Sequence, residues 1–509
     1  MKKNCKKGVI LFNPSAPGHL EPIIPYALLC ISRYICNTYP VEIIVSSPGV
    51  NVKNEVIEKC SNAICLGITC ITGPQIAEAV YIAKIVKDRY PGLPIVWGGW
   101  HANIMTEQTL QSSVVDIIVR GQGEITFTEL IECLVNNGDL SQISGISYKR
   151  NGKAVHNSER PFTDINSFSP IPYHLINVDE FIHSGSCYCQ VDGFGERSID
   201  YFSSLGCPNN CQFCATPVAY KRRWYAKSPS LVIKELGFLK QEHGIDSVIM
   251  RDDNVFVNKK RVLEICRLLV ENNLQINIGY ADGTADLLAS YTDEELKMIR
   301  RAGMSHVFIG VESGDEETLK LMRKRITPEQ VVTVAKKCWE HDIAVRFSFM
   351  VGTPLKNSEM KPSGIYEDIH NNLNLMRKID KECPNNSFNF VQGFYMPYPG
   401  SELYEFSKSH GFREPSTLHE WAEINFKKSS FVDVPKKVVS FANLIMYVLN
   451  FRLNSYRHSF KTFKDLFRYL FRFIATLRFK YNFYYFPIDF YIFQWWSKRS
   501  KKIIKSKVR

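Results

Sequence analysis

Cys207, Cys211 and Cys214 lie in the segment YFSSLGCPNNCQFCATPVAYKRRWY with the spacing C-x3-C-x2-C. Three thiols in so short a loop, rich in Asn, Pro and Gly, can hold three corners of an iron–sulfur cube and leave the fourth iron open to a substrate. Two other chemistries compete. A structural zinc site takes four protein ligands, often as paired C-x2-C knuckles, and no second knuckle lies nearby; Cys187 and Cys189 form only a C-x-C. A disulfide framework belongs to small secreted domains, and fifteen cysteines in 509 residues are too dispersed for one. The cluster is the favoured reading.

The elements around this loop place it at a strand end. From about Ile199, strand-like segments alternate with helical ones: SIDYFSS, SVIMRDD, INIGYAD, HVFIGVES, AVRFSFMVG and FNFVQGFYMPYPG, with helices over 228–243, 258–273, 292–303, 327–341 and about 364–380. Six such units predict a partial or full β/α barrel, whose chemistry sits on loops at the C-terminal strand ends. The cysteine loop follows the first strand. Later strands end in Arg251–Asp252–Asp253, Asp282–Gly283–Thr284, Glu312–Ser313–Gly314 and Gly352–Thr353–Pro354. Upstream, residues 1–145 alternate apolar runs (GVILFN, VEIIVSS, AICLGITC, PIVWGG, VDIIVRG) with amphipathic helices. Runs apolar on both faces predict a doubly wound, Rossmann-like parallel sheet. Residues 146–194, with Pro161, Pro170 and Pro172, read as a linker, the barrel as 195–405, and 406–509 as a helical extension.

These residues resemble the cobalamin-binding radical SAM family, which includes anaerobic C-methylases and the oxygen-independent Mg-protoporphyrin ester cyclase. The resemblance covers about residues 5–405. It implies that Cys207, Cys211 and Cys214 ligate a 4Fe–4S cluster whose open iron chelates S-adenosyl-L-methionine, with Phe213 the aromatic usual between the last two. It further implies cosubstrate contacts at Glu312 and Ser313 in GVESGD, at Gly352 and Pro354 in SFMVGTP beside the adenine, and at Asp252 and Asp253 facing the amine. Structural ion pairing or helix capping is the competing role for Asp252 and Glu312. In the N-terminal domain Thr69–Cys70–Ile71 stands for the family's S-x-L, and Gly98–Gly99 for its paired glycines. The D-x-H-x-x-G loop is absent; Pro22 to Ala27 read PIIPYA, so the lower face of a bound cobalamin is undefined, with His101 a candidate neighbour. The implied activity is reductive cleavage of S-adenosylmethionine to a 5′-deoxyadenosyl radical and methylation of an unactivated carbon. The alternatives are radical cyclisation or rearrangement without methyl transfer, and a cobalamin-binding sensor.

Charge divides the chain unevenly. The net charge is +12, yet residues 451–509 hold fifteen Lys or Arg against two Asp, leaving the remainder at −1. The same segment holds nineteen aromatic residues. Interleaved aromatic and cationic side chains suit the headgroup layer of an anionic membrane; an intramolecular cap is the second reading and nucleic acid the least favoured. No apolar run reaches the roughly 18 residues of a transmembrane helix, and the N-terminal apolar run stops at Asn13–Pro14, too short for a signal peptide. The expected location is therefore cytoplasmic, peripheral at the inner membrane face. The expected partners are a small-molecule substrate of lipid or isoprenoid type and an electron donor such as flavodoxin or ferredoxin.

Overall fold

The computed structural model describes residues 7–15, 22–47, 49–184, 195–356, 362–383, 388–424, 434–453 and 463–496. Cys187 and Cys189 and the basic end 497–509 fall outside them.

The N-terminal sheet contains β1 (Gly8–Asn13), β2 (Val41–Val45), β3 (Ala63–Thr69), β4 (Ile95–Gly98), β5 (Ile117–Val119), β6 (Ile146–Arg150) and β7 (Lys153–His156), in the order β2-β1-β3-β4-β5-β6-β7. Strands β1 to β5 are parallel. Both faces are covered: along β1, Ile10 and Phe12 enter one core and Val9 and Leu11 the other. Helix Gln75–Arg89 packs Ile76, Ala79 and Ile82 on the first side, and Gly123–Val135 packs Phe127, Leu130 and Ile131 on the second. This is the doubly wound domain that the apolar runs predict.

Its sheet does not stop at residue 145. Strands β6 and β7 add antiparallel at the edge, inside the segment the sequence reading assigns to a linker. They meet at Asn151–Gly152, both at positive φ (53° and 75°). An Asn-Gly pair between short strands is the usual mark of a tight hairpin; three prolines farther on obscured it.

The second unit is a six-position parallel array. Strands β8 (Ser198–Tyr201), β11 (Ser247–Met250) and β12 (Asn277–Gly279) pair in parallel, as do β13 (Ala281–Gly283), β14 (His306–Glu312), β15 (Ala344–Val351) and β16 (Asn389–Phe394). Strands β12 and β13 occupy one position, interrupted at Tyr280, which has φ 67°. The intervening helices start at strong caps: Ser228 before Pro229, and capping boxes at Thr292/Glu295 and Thr327/Gln330. The architecture is thus a partial (β/α)6 barrel. One addition was not foreseen: β9 (Ser204–Gly206) and β10 (Trp224–Ala226) pair antiparallel and close the base of the cysteine loop.

The C-terminal extension is helical: Glu402–Ser409, Leu418–Glu423, Lys436–Leu453, Phe463–Tyr481 and a last helix over 488–496. It braces both units. Trp421 is fully buried against His101 of the N-terminal domain (ring centroids 5.4 Å), while Phe479 stacks on Phe390 of β16 (6.5 Å). Among the described residues no helix is long and apolar enough to cross a membrane.

Candidate functional site

The cysteine loop is tied at both ends by one carboxylate. Asp253, just past β11, accepts from the Gly206 N–H (2.8 Å) before Cys207 and from the Thr216 hydroxyl (3.0 Å) after Cys214. Its neighbour Asp252 is fully buried and accepts from the Ser203 N–H (2.8 Å), the Ser203 hydroxyl (2.6 Å) and the Ser204 hydroxyl. Burial pushes both carboxyls up, and these hydrogen bonds work against it. The two aspartates expected to face a cosubstrate amine are therefore engaged in shaping the loop from behind.

Glu312 stands across the rim at the end of β14. The strand bulges between Gly310 and Glu312, and Glu312 has φ 72°. A non-glycine residue in the left-handed region is strained, and such strain collects where a side chain must be re-aimed. Gly310 makes room for it: a Cβ there would lie 2.3 Å from Glu312 Oε1 and 3.0 Å from Lys324 Nζ. Lys324 Nζ is 3.6 Å from Glu312 Oε1 and 5.8 Å from the Phe213 ring centre.

Lys324 is the functional residue that sequence reasoning missed. Burial alone would lower it, but Glu312 and the three thiols outweigh burial, and its ammonium is held above its ordinary value. Burial drives all three thiols up, Cys211 to about 11, and Lys324 works against it at Cys211 and Cys214. Asp282 joins the same interior, its carboxyl pushed by burial up to about 8. Ser313 is buried, and its hydroxyl accepts from the Asp315 N–H (3.1 Å). Gly352, at φ 73°, donates its N–H to Asp368 (2.9 Å), with Pro354 buried beyond it.

Among the described residues no three His, Cys, Asp or Glu side chains converge on one metal ion. The three thiols nevertheless feel one another's charge, and Lys324 lies within their field. Three thiols on a pinned loop, with no fourth His, Cys, Asp or Glu ligand among the described residues and a buried cation nearby, fit an iron–sulfur group with one open iron better than a four-ligand zinc site.

The N-terminal rim is built from the ends of β3, β4 and β5. Gly99 (φ 85°) has no free space: a Cβ would lie 2.7 Å from the Cys70 carbonyl and from the Thr69 hydroxyl. Its closeness serves the packing of β4 on β3, not a ligand. Gly98 and Gly121 are the open positions, with nothing nearer than 3.8 Å around a Cβ at Gly98 and nothing within 4 Å at Gly121. Ile71 is half-exposed beside them. Open backbone at the C-terminal ends of parallel strands suits the close approach of a large planar ligand. His101 does not line it. Its helix turns it inward, where it is fully buried, shares a hydrogen bond with Thr72 (3.1 Å) and keeps Nε2 without a partner. Burial lowers its pKa to about 4.

The segment where the histidine loop is missing has another use. Pro22 accepts from His183 (2.9 Å), Tyr26 packs on Phe202 (4.7 Å), and Lys227 donates to the Tyr26 hydroxyl (2.9 Å). It docks the N-terminal domain on the barrel. The two rims then meet: Trp100, next to the glycine pair, sits edge-on to Tyr220 on the return of the cysteine loop (6.0 Å).

Comparison with known proteins agrees with this geometry. Residues 23–131 match the B12 binding domain and residues 201–362 the Radical SAM superfamily. The chain is 28% identical to an uncharacterised methyltransferase of Pyrococcus horikoshii, over 74% of this chain and 75% of that one. It is 25% identical to the anaerobic magnesium-protoporphyrin IX monomethyl ester cyclase of Synechocystis, over 62% of this chain and 63% of the cyclase, so it spans less than two thirds of that relative. Among solved structures, the cobalamin-dependent S-adenosylmethionine radical enzyme OxsB aligns over 92% of this chain and 72% of its own (TM-score 0.65, 18% identity). The radical S-adenosylmethionine methyltransferase TsrM from Kitasatospora setae aligns over 79% and 75% (TM-score 0.61, 16% identity); both show the shared fold. With a B12 binding domain and a radical SAM barrel in one chain, their rims in contact, the protein belongs to the cobalamin-binding radical SAM enzymes.

Proposed function

We propose that this enzyme methylates an unactivated carbon of a hydrophobic small molecule, using S-adenosylmethionine, a 4Fe–4S cluster on Cys207, Cys211 and Cys214, and cobalamin on the rim that includes Thr69 and Gly98. The observation that carries the proposal is the contact of the two rims at Trp100 and Tyr220, which sets the two candidate cofactor sites toward each other. When bound, the cluster and S-adenosylmethionine supply a carbon-centred radical, and cobalamin supplies a methyl group.

The chain's own residues prepare that encounter. Asp253 fixes both ends of the cysteine loop, so the three thiols keep their spacing without iron. Lys324 offsets the negative charge that three thiolates would bring into a buried site. Glu312, aimed inward by the bulge, offers a carboxylate to a cationic or hydroxylated cosubstrate group. Trp100 and Phe162 both pack on Tyr220 and join the two rims through aromatic contacts. Reduction of the site requires an external donor of flavodoxin or ferredoxin type.

Similarity to the cyclase of Synechocystis supports a second reading, radical cyclisation without methyl transfer. A sensing role needs none of the buried charge gathered around the thiols. Anaerobic turnover of reconstituted enzyme separates these readings. Methylation yields S-adenosylhomocysteine and 5′-deoxyadenosine in equal amounts; cyclisation yields 5′-deoxyadenosine alone. Cys211→Ala should reduce 5′-deoxyadenosine to background, and intact cleavage in that variant would remove the cluster assignment.

A further inference from the structure

The C-terminal extension exposes what the rest of the molecule buries. Of the twenty-four large hydrophobic side chains exposed among the described residues, fourteen lie between Phe467 and Trp496. A soluble surface rarely gathers them in this way. Helix Phe463–Tyr481 is apolar on two opposite faces. Phe471, Ala475 and Phe479 face inward and are buried. Leu470, Phe473, Leu477 and Tyr481 follow at i, i+3, i+7 and i+11 and form one exposed stripe on the other side.

The turn that follows is held rigid. Arg478, only 5% exposed, donates to three carbonyls of the loop, those of Phe483 (3.0 Å), Tyr485 (3.1 Å) and Phe486 (3.0 Å). It also pairs with buried Asp489 (2.5 Å). Burying an ion pair is costly, and this one fixes a loop whose side chains face water: Tyr485 is 75%, Phe486 80% and Ile488 67% exposed. Phe486 is also held at φ 51°, a conformation disfavoured for an aromatic residue. The Arg478 hydrogen bond to Phe486 holds the strained backbone, while nothing among the described residues covers the three side chains.

We propose that residues 463–496 form a preorganised docking face for an anionic lipid bilayer, with Tyr485, Phe486 and Ile488 as the inserting tip. Charge selects this occupant. Residues 451–509 carry +13, and 497–509 hold seven Lys or Arg and no acid. Lys is depleted in protein–protein interfaces, whereas Lys and Arg beside aromatic rings are favoured at an anionic membrane surface. Since no described helix can span a bilayer, attachment would be from one side.

The test is co-sedimentation of the full-length, reconstituted protein with phosphatidylcholine vesicles, with and without phosphatidylglycerol. The wild type should bind the anionic vesicles preferentially and less at high salt. The triple variant Tyr485→Ser, Phe486→Ser, Ile488→Ser should bind about tenfold more weakly or worse. Phe486→Asn separates docking from folding, because Asn tolerates the left-handed region. It should keep or raise the melting temperature while lowering vesicle binding. Absence of wild-type binding, or equal binding by the triple variant, overturns the proposal. So does a triple variant that only converts a dimer to a monomer, which would assign the face to a second copy of the chain.

Discussion

Around the three thiols of the barrel four buried groups that can carry charge converge; at the ends of β3 and β4 in the N-terminal sheet the buried groups are neutral, the nearest buried carboxyl being Glu124 beyond β5. Asp252, Asp253, Glu312 and Lys324 surround the cysteine loop, each with a partner. The opposite rim offers Thr69, Cys70, Ile71, two open glycines and a neutral histidine behind them. The difference follows from what each rim must recognise. A small, charged ligand is held by opposed charges at fixed positions, and buried charges hold those positions because separating them is expensive. A large, mostly apolar ligand is held by shape, for which open backbone at strand ends is enough.

Breaking the charged rim should have the largest effect. Lys324→Met leaves Glu312 and the thiols without their cation. Stability should fall by about 3–5 kcal/mol in chemical denaturation, the scale for orphaning a buried charge. Iron incorporation should fall with it, while cobalamin retention per folded chain stays unchanged.

The neutral rim should divide between its two glycines. Gly99→Ala drives a Cβ into the Cys70 carbonyl at an unfavourable φ and should cost about 1–3 kcal/mol. Gly98→Ala meets only ordinary contact; it should leave the melting temperature nearly unchanged and weaken cobalamin binding, read by retained cobalamin absorbance. If both variants behaved alike, shape would not govern this rim.

The effect that is smallest at neutral pH, and emerges only in acid, is a pH dependence. His101 has its pKa lowered from 6.5 to about 4 by burial. Between those values the unfolded chain binds a proton that the folded chain refuses, so stability is present above pH 6.5 and is lost as pH falls toward 4. The loss reaches roughly 3 kcal/mol. In His101→Leu the acid limb of the stability–pH curve should flatten.

Much of this was legible in the chain. The cysteine spacing, the six alternating units and the polar strand ends place the cluster loop on a barrel rim. The hairpin at Asn151–Gly152 was missed, although its turn residues mark it, because the prolines that follow suggest a linker. Lys324 was not legible. It follows a short helix, far in sequence from Cys211, and nothing in its local sequence distinguishes it from neighbouring Lys and Arg residues. The roles of Asp252 and Asp253 were half legible: their place at a strand end was readable, but their hydrogen bonds to Ser203, Gly206 and Thr216 depend on how β8 and β11 align.

The periodic elements and the three clustered thiols are written locally in the chain: apolar alternation selects strand or helix, and C-x3-C-x2-C fits one short loop. Which charges face those thiols, that PIIPYA docks one domain on the other, and that Arg478 holds an aromatic tip in water emerge only on folding. Those outcomes depend on contacts between residues distant in the chain, whose energies appear only when burial strips away water and each charge must find the partner that packing provides.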